Sequence, residues 1–467
     1  MNLANYLIPA GCSVGRHDSF GNAVVVYKGE PDFQIPASTK VAIIGVPEDR
    51  FTDGAGEIKS PGVIRRQLYA LSAGTQGTVV DLGNFRTGKT LIDTYYGLKD
   101  IVSELYEQNI VTLLIGGTLD VFYGNCLAVK DQNVTLTTVA PRLRFPERDD
   151  TKHPINALVF CQPDPRSIRY PISDNPISDN PTIYDYPISD CPISDNPISD
   201  NPTSEIGKSH IGKSENRISH IEQSEIGQSE NRISHIGQSE IGQSEIGQSE
   251  IGKSNNRISI HICNFGYQSY YVSQQDLDEF SDRHFEAYRL GEIRDNLRES
   301  EPVIRDSDLL AISMDAVKYS DAPAASNASP NGFTGEEICQ VAFFAGLSHR
   351  CRSLGIFDII PQNDVRDITS KLAAQMAWYF VEGVKKRNPD SPHDHIHNFK
   401  KYLIYFDQLH HNLCFFKNIQ TERWWMEIPS IASNDDSVII SCTQEDYMKA
   451  AEQEIPDRWW KTYQRIN

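Results

Sequence analysis

Short apolar runs alternate with longer helical patterns along this chain. Each run is nearly free of polar positions, which is typical of strands buried on both faces of a parallel sheet rather than of half-exposed strands. The runs are VAIIGV (41–46), VTLLIGG (111–117), VTLTTV (134–139), LLAISMD (309–315) and LGIFDII (354–360).

The segments between these runs carry apolar residues at helical spacing, and Pro61 stands near the start of the first one. Alternating strands and helices predict βαβ units, and so an α/β fold of three layers (α/β/α) with a mainly parallel, doubly wound sheet. Ligands in such sheets bind beyond the carboxyl ends of the strands. The helical patterns cover 61–71, 91–108, 274–299, 336–347 and 370–387.

A low-complexity segment, residues 171–258, interrupts this pattern. It begins with PISDNP units, continues with IGQSE units, and carries fourteen acidic residues against six Lys or Arg. Because it has little apolar surface to bury, we predict a disordered insertion; a pentapeptide β-solenoid is the alternative. The predicted division is an α/β domain in two parts, 1–170 and 259–390, around this insertion, followed by a Trp-rich C-terminal extension, 391–467.

Composition excludes some classes of partner. The formal net charge of −19 argues against nucleic acid, which needs clustered Lys and Arg. No apolar stretch reaches the length of a membrane span, and the first residues do not resemble a signal peptide, so we expect a cytoplasmic protein without a membrane partner. Nine scattered cysteines suit reduced thiols better than a disulfide framework.

Three segments resemble the metal motifs of the ureohydrolase family, which comprises arginases, agmatinases and formimidoylglutamases. SMDAVKYSDAPAASNASPNGFTGEE (313–337) is similar to the family's S-x-D-x-D-x-x-D-P strand end and the segment after it. TLLIGGTLD (112–120) resembles its G-G-D-H-S loop, and TLTTVAPRLRF (135–145) its D-A-H-x-D strand. Further similarity lies in 41–71, 78–85 and 353–364, where Asp358 replaces a family Glu. The chain therefore looks like a divergent, formimidoylglutamase-like member with an arginase-like fold.

The resemblance also implies that most of the metal ligands are absent. One of the six ligand positions of the family's binuclear manganese site keeps its carboxylate, and this is Asp315. Manganese needs several carboxylate or imidazole ligands, so we expect no cofactor, or manganese if the family activity is retained. The other five positions hold Leu119, Ala140, Arg142, Arg144 and Val317.

Other residues complete the candidate pocket. Gly116 and Gly117 belong to the strand-end loop, and Asp120, Asp315 and Asp321 are the carboxylates from which a shifted metal site would have to form. Glu336 and Glu337 open a helix, where we expect them to cap its first turn. If the two arginines point inward, the pocket would suit a small anionic ligand held beside Gly116 and Gly117.

A different site is suggested by GNFRTGKT (83–90), which matches the phosphate-loop pattern G-x-x-x-x-G-K-[ST] between a strand and a helix. In this alternative Gly83, Gly88, Lys89 and Thr90 would surround a nucleotide phosphate. The other explanation is a Gly-rich turn from strand to helix.

The predicted function is a binding or scaffolding protein of ureohydrolase fold that has lost manganese-dependent hydrolysis. Two alternatives stay open: an active amidine hydrolase acting on formimidoylglutamate, agmatine or arginine through a shifted metal site, and a nucleotide-binding protein. Oligomers are usual in the family, and the sequence leaves open whether this chain forms a homo-oligomer.

Overall fold

The fold is described from a computed structural model. The described residues are 3–11, 18–50, 56–73, 79–129, 134–143, 146–147, 159–160, 260–298, 300–388, 390–393, 395–406, 411–430 and 437–466. The predicted insertion, 171–258, lies outside them, so its disorder or solenoid structure stays a prediction, as do the domain boundaries.

Sixteen strands are found in the described residues. They are β1 (Leu7–Ile8), β2 (Val25–Val26), β3 (Val41–Gly45), β4 (Val79–Phe85), β5 (Val111–Ile115), β6 (Val134–Val139), β7 (Pro146–Glu147), β8 (Val159–Phe160), β9 (Ile260–Tyr267), β10 (Glu286–Arg289), β11 (Leu309–Ser313), β12 (Ser353–Phe357), β13 (Phe399–Phe406), β14 (His411–Asn418), β15 (Trp424–Ile428) and β16 (Val438–Cys442).

Eleven α-helices accompany these strands in the same part of the chain. They are α1 (Phe20–Ala23), α2 (Ser60–Tyr69), α3 (Leu91–Glu107), α4 (Tyr123–Ala128), α5 (Gln274–Asp282), α6 (Leu290–Asp295), α7 (Glu301–Arg305), α8 (Gly335–Leu347), α9 (Ile368–Lys385), α10 (Gln444–Ala451) and α11 (Asp457–Ile466).

Ten strands form one sheet in the order β1-β4-β3-β5-β12-β11-β6-β9-β10, with β2 also paired to β4. Only β1 runs antiparallel in it. Successive residues of each strand point to opposite faces, and β3 illustrates the result: Val41 and Ile43 join one core, Ala42 and Ile44 the other. Since α2, α8 and α9 contribute to the first core and α3 and α4 to the second, helices cover both faces. The predicted three-layer, mainly parallel α/β fold is confirmed.

The predicted helix over 274–299 is wrong in its middle. The chain leaves α5, passes through His284 with a positive φ of 56°, and forms strand β10, which pairs parallel with β9 before α6 begins. The polar side chain of Glu286 suits this edge position because it binds His261 of the neighbouring strand at 3.0 Å. Edge pairing therefore overrides a sequence pattern that also fits a helix.

The expected capping at the start of α8 is confirmed for Glu337. Thr334 is the N-cap, and the backbone N–H of Thr334 donates to the Glu337 carboxylate at 2.7 Å, which completes a capping box. Glu336 lies exposed in the same first turn.

The C-terminal residues build a second sheet. Strands β13 to β16 are antiparallel neighbours in that order, and α10 and α11 pack with them around Trp424, Met426 and Trp459. The tryptophan-rich sequence thus supplies a core of its own. In the described part of the chain, no helix is long and apolar enough to cross a membrane.

Candidate functional site

Four acidic side chains follow parallel strands at one edge of the main sheet. Glu48 follows β3, Asp120 follows β5, Asp315 follows β11 and Asp358 follows β12. Parallel strands point their carboxyl ends to the same edge, which brings these residues together. All four are at least nine-tenths buried, and we call them the carboxyl-edge acids.

Asp358 connects the ends of three neighbouring strands. It directly follows β12, accepts a hydrogen bond from the backbone N–H of Leu119 at 2.9 Å after β5, and accepts another from Ser313 Oγ at 2.5 Å at the end of β11. Its φ of +66° places the backbone in the left-handed region, which Asp adopts more readily than most residues. The Asp358 carboxylate thus joins β12 to the residues that end or follow β11 and β5.

Asp120 is a carboxyl-edge acid with a strongly perturbed ionisation. Burial raises the pKa of Asp120 to about 6, and the neighbouring carboxylates of Asp358 and Glu48 add to this rise. Hydrogen bonds donated by Thr118 Oγ1 and by Tyr95 Oη, the latter at 2.6 Å, act in the opposite direction. Asp120 therefore changes charge near neutral pH.

Asp315, the one carboxylate kept from the metal motif, is also engaged within the chain. Its Oδ1 accepts a hydrogen bond from the backbone N–H of Asn327 at 2.7 Å, and its Oδ2 accepts one from Asn327 Nδ2 at 3.1 Å. Asp321 instead accepts from the backbone N–H of Gly335 at 2.8 Å and lies at the start of α8. The two carboxylates thus bind different segments: Asp315 binds the loop at Asn327, and Asp321 binds the start of α8.

Three of the residues at the predicted ligand positions are buried apolar side chains. Leu119 packs in the core beneath α3 and α4, whereas Val317 packs in the core on the other face. Ala140 is fully buried after β6. None of these three side chains carries an atom that could bind a metal ion.

Arg142 points away from the predicted pocket. Its guanidinium lies over the ring of Tyr271, 4.2 Å from the centroid, beyond the end of β9. Its strand β6 is separated from β5 by β11 and β12, a span of about 14 Å at the usual strand spacing. Arg144 lies outside the described residues.

The two glycines do not offer free amides to a ligand. The N–H of Gly116 donates to the Ile356 carbonyl at 2.9 Å, and the N–H of Gly117 donates to Ser60 Oγ at 3.1 Å. A Cβ on Gly116 would stand 2.5 Å from Pro61 Cδ, so the close packing of this loop against α2 requires glycine at this position. The predicted anion pocket of Arg142 and Arg144 beside Gly116 and Gly117 stays a prediction. Among its described residues, Arg142 stacks on Tyr271 and both glycine amides donate to other groups of the chain.

The residues present do not fit the binuclear manganese centre of the ureohydrolases. Among the described residues, no group of three or more His, Cys, Asp or Glu side chains is placed to hold a metal ion. Glu48, the carboxylate that follows β3, is paired with Arg50. A shifted site built from Asp120, Asp315 and Asp321 is not supported by this arrangement.

The phosphate-loop motif has an unsuitable geometry. Strand β4 continues through the first glycine, Gly83, as far as Phe85, and Thr90 already caps α3. The N–H of Gly88 donates to Thr94 Oγ1 at 2.9 Å, and the N–H of Thr90 donates to Asp93 Oδ2 at 2.9 Å. Lys89 is exposed. Since the amides that would hold a phosphate are already used, the turn from strand to helix is the better interpretation.

Sequence reasoning did not anticipate several polar partners at this edge. The sequence patterns assign no role in the predicted site to Glu48, Tyr95 or Asn327. The position of Glu48 directly after a predicted buried strand was a usable signal. The contacts of Tyr95 and Asn327 come from a helix and a long loop, and spacing along the chain does not reveal them.

Known proteins of similar sequence and structure can now be compared. The arginase family model matches residues 239–382, of which the part from 260 onward is almost entirely described here. No curated protein sequence matches the chain.

Solved structures resemble this fold at low sequence identity. Formimidoylglutamase from Bacillus subtilis is 16% identical, with a TM-score of 0.50 over 82% of this chain and 97% of that one. Formiminoglutamase from Trypanosoma cruzi with Mn²⁺ is 17% identical, with a TM-score of 0.49 over 76% and 97%. Agmatine ureohydrolase from Thermoplasma volcanium is 14% identical, with a TM-score of 0.45 over 80% and 96%.

The Bacillus subtilis likeness supports the fold, and the family match supports the ancestry of its later strands and helices. Of the three motif resemblances, the one at 313–337 lies within the matched residues. The chain has an arginase-like α/β fold, and its residues 239–382 match the arginase family model.

Proposed function

We propose that this protein is an arginase-family member without manganese-dependent hydrolysis, and that it acts as a binding or scaffolding protein. The observation that carries the proposal is the set of side chains at the family's ligand positions. Leu119, Ala140 and Val317 are buried without donor atoms, and Arg142 stacks on Tyr271. The hydrolytic nucleophile of such a centre is a metal-activated water, which needs a bound cation.

The state of the surviving carboxylates supports the same proposal. Asp315 is bound by Asn327, and Asp358 is bound by Leu119 and Ser313, so both carboxylates are held by groups of the chain itself. Each buried acceptor left unpaired costs about 1 to 3 kcal/mol. The carboxyl edge is therefore stabilised by hydrogen bonds where the family uses metal coordination.

An assay of the full chain tests the proposal against retained hydrolysis. Purified protein supplied with excess Mn²⁺ is incubated with arginine, agmatine or formimidoylglutamate, and urea, ammonia and formamide are measured. We expect product formation no faster than in a matched sample of heat-denatured protein.

A matched variant distinguishes genuine turnover from a contaminating enzyme. Asp315→Asn removes the one carboxylate that the ligand positions keep, and its amide can still accept a hydrogen bond from Asn327. Turnover in the wild type that Asp315→Asn abolishes would overturn the proposal and favour a retained amidine hydrolase. Turnover that is equal in both proteins would come from a contaminant.

A further inference from the structure

A groove lies between helices α8 and α9, on the side of the two helices that faces solvent. It has a volume of about 570 Å³, and sites for small organic ligands have volumes of about 300 to 1,000 Å³. The residues of each helix that line it are spaced three or four apart, so each helix contributes one continuous face. We call it the α8–α9 groove.

The two helices run side by side in the same direction. Near their starts, a Cβ on Gly335 would stand 3.3 Å from Leu372 Cδ1, and near their ends, a Cβ on Gly346 would stand 2.9 Å from the Cα of Gly383. The glycines let the helix ends approach closely, while longer side chains on the solvent side leave the groove between them. Positions along α8 and α9 therefore follow the groove in the same order.

Three aromatic side chains form one wall of the groove. The rings of Phe343 and Tyr379 meet edge to face with centroids 6.4 Å apart, and those of Trp378 and Tyr379 meet in the same way at 5.2 Å. The indole N–H of Trp378 donates to the Ser72 carbonyl at 3.0 Å, which fixes its ring. Tyr379 is 41% exposed. The groove thus offers a solvent-accessible aromatic surface held in one place.

The groove carries one negative and one positive side chain that are accessible and have no ion-pair partner in the described part of the chain. Glu336 lies exposed in the first turn of α8, and Lys386 lies exposed directly after α9. The third charged lining residue, Glu382, is already paired with Lys385 at 2.8 Å. An added ligand can therefore pair with both Glu336 and Lys386.

These two charges are well separated along the groove. The Lys386 Nζ lies over the ring of Phe343, 5.6 Å from its centroid. Phe343 follows Glu336 by seven residues on α8, which at 1.5 Å per residue is a distance of about 10 Å along the helix. A ligand that pairs with both side chains needs opposite charges at two ends, about this far apart.

Two amide side chains line the groove between its charged ends. Gln340 lies between Glu336 and Phe343 on α8, and Gln375 lies one turn before Tyr379 on α9; both are exposed. Each amide can donate and accept hydrogen bonds, as a peptide group also does. The middle of the groove therefore suits a ligand with peptide bonds.

We propose that the α8–α9 groove binds a short peptide with a free amino end and a free carboxyl end, about three residues long and with an apolar side chain. The ammonium pairs with Glu336, the carboxylate pairs with Lys386, and the apolar side chain packs on Phe343 and Tyr379. An extended tripeptide spans about 10 Å, which matches the separation of the two charges. This inference goes beyond the loss of hydrolysis and does not depend on it, because the groove contains none of the carboxyl-edge acids.

Isothermal titration calorimetry on the full chain tests the proposal with three peptides of the sequence alanyl-phenylalanyl-alanine: with both ends free, with an acetylated amino end, and with an amidated carboxyl end. We expect saturable binding of the free peptide with a dissociation constant below about 5 mM, a weak affinity on the usual scale. Blocking either end should weaken binding by about threefold, the size expected for an exposed ion pair. Absence of saturable binding by the free peptide, or equal affinity for all three peptides, overturns the proposal.

Three variants at exposed positions locate the binding. Glu336→Gln should bind the free peptide about threefold more weakly and should no longer distinguish it from the acetylated one; Lys386→Gln should show the same loss for the amidated one. Tyr379→Leu should also weaken binding, because it removes part of the aromatic wall. Tyr96→Leu, at a similarly exposed tyrosine on α3, is the matched control and should bind like the wild type. Wild-type affinity and end preference in all three groove variants would likewise overturn the proposal.

Discussion

Asp120 and Asp358 show how single carboxylates at the carboxyl edge have taken structural roles. Asp358 accepts hydrogen bonds from groups that follow or end two other strands, and its negative charge raises the pKa of buried Asp120.

The ionisation of Asp120 predicts a pH dependence of stability. The carboxyl has a pKa near 4 in the unfolded chain and about 6 in the folded protein. Below pH 4 the carboxyl is protonated in both states and does not change the free energy of unfolding. As pH rises from 4 to 6, the carboxyl ionises in the unfolded state alone, which stabilises that state. The free energy of unfolding should therefore fall across this window, by up to about 3 kcal/mol, and stay low above it.

Urea unfolding of the wild type and of Asp120→Asn between pH 4 and 8 checks this sign. The stability of the wild type relative to the variant should decline from pH 4 to pH 6 and then level off. Asp321→Asn is the control, because hydrogen bonds lower the pKa of Asp321 and its contribution is lost as pH falls below about 4. A wild-type advantage over Asp120→Asn that is constant or grows with pH would contradict the assignment.

At the scale of elements, a buried ion pair fixes helix α2 against strand β4. Arg65 Nε donates to Asp81 Oδ2 at 2.7 Å, and its Nη2 donates to the Gly83 carbonyl at 2.6 Å. One turn later Tyr69 Oη donates to the same Asp81 oxygen at 2.8 Å. Both members of the ion pair are fully buried, so neither can find water in place of its partner.

Removing one partner of this pair should strongly destabilise the fold. We expect Arg65→Ala to lower the free energy of unfolding by about 3 to 5 kcal/mol, because Asp81 keeps a buried charge without its counterion. Arg66→Ala, at the next and exposed position, is the matched control and should change stability by less than about 0.5 kcal/mol. Similar urea midpoints for the two variants would show that the pair does not connect the elements.

The sequence predicted some elements well and others poorly, for physical reasons. Helices α3, α8 and α9 have long apolar stripes that only a helix places on one face, and they occur within one or two residues of the predicted bounds. Strand β10 is short and lies at the sheet edge, where its pairing with β9 decides its structure rather than its own pattern.

For the site, the sequence predicts which ligand positions lack a donor atom, and the structure shows that Leu119, Ala140 and Val317 are buried. The direction of Arg142 and the partner of Asp315 could not be predicted, since both depend on side chains distant in sequence, Tyr271 and Asn327.

At the scale of the whole molecule, the α/β core is continuous across the predicted insertion. Val139 of β6 pairs with Phe265 of β9, and both belong to the same hydrophobic core. The strands before and after residues 171–258 are therefore direct neighbours in the sheet.

Deleting residues 171–258 should leave the thermal midpoint within a few degrees of the wild type. The cost of closing a loop changes only slowly with its length, so a shorter connection between β6 and β9 alters stability little. Differential scanning calorimetry of both proteins measures this. Loss of a cooperative transition or of solubility in the deletion would instead indicate a packed solenoid in the segment.

The carboxyl edge provides the most direct test of the central claim, that the family's binuclear manganese site has been replaced by hydrogen bonds and apolar side chains. Equilibrium dialysis of the full chain against Mn²⁺, followed by elemental analysis, measures the metal held per chain. We predict no stoichiometric manganese and the same low value in Asp315→Asn. Two tightly held equivalents in the wild type, lost in that variant, would contradict the account.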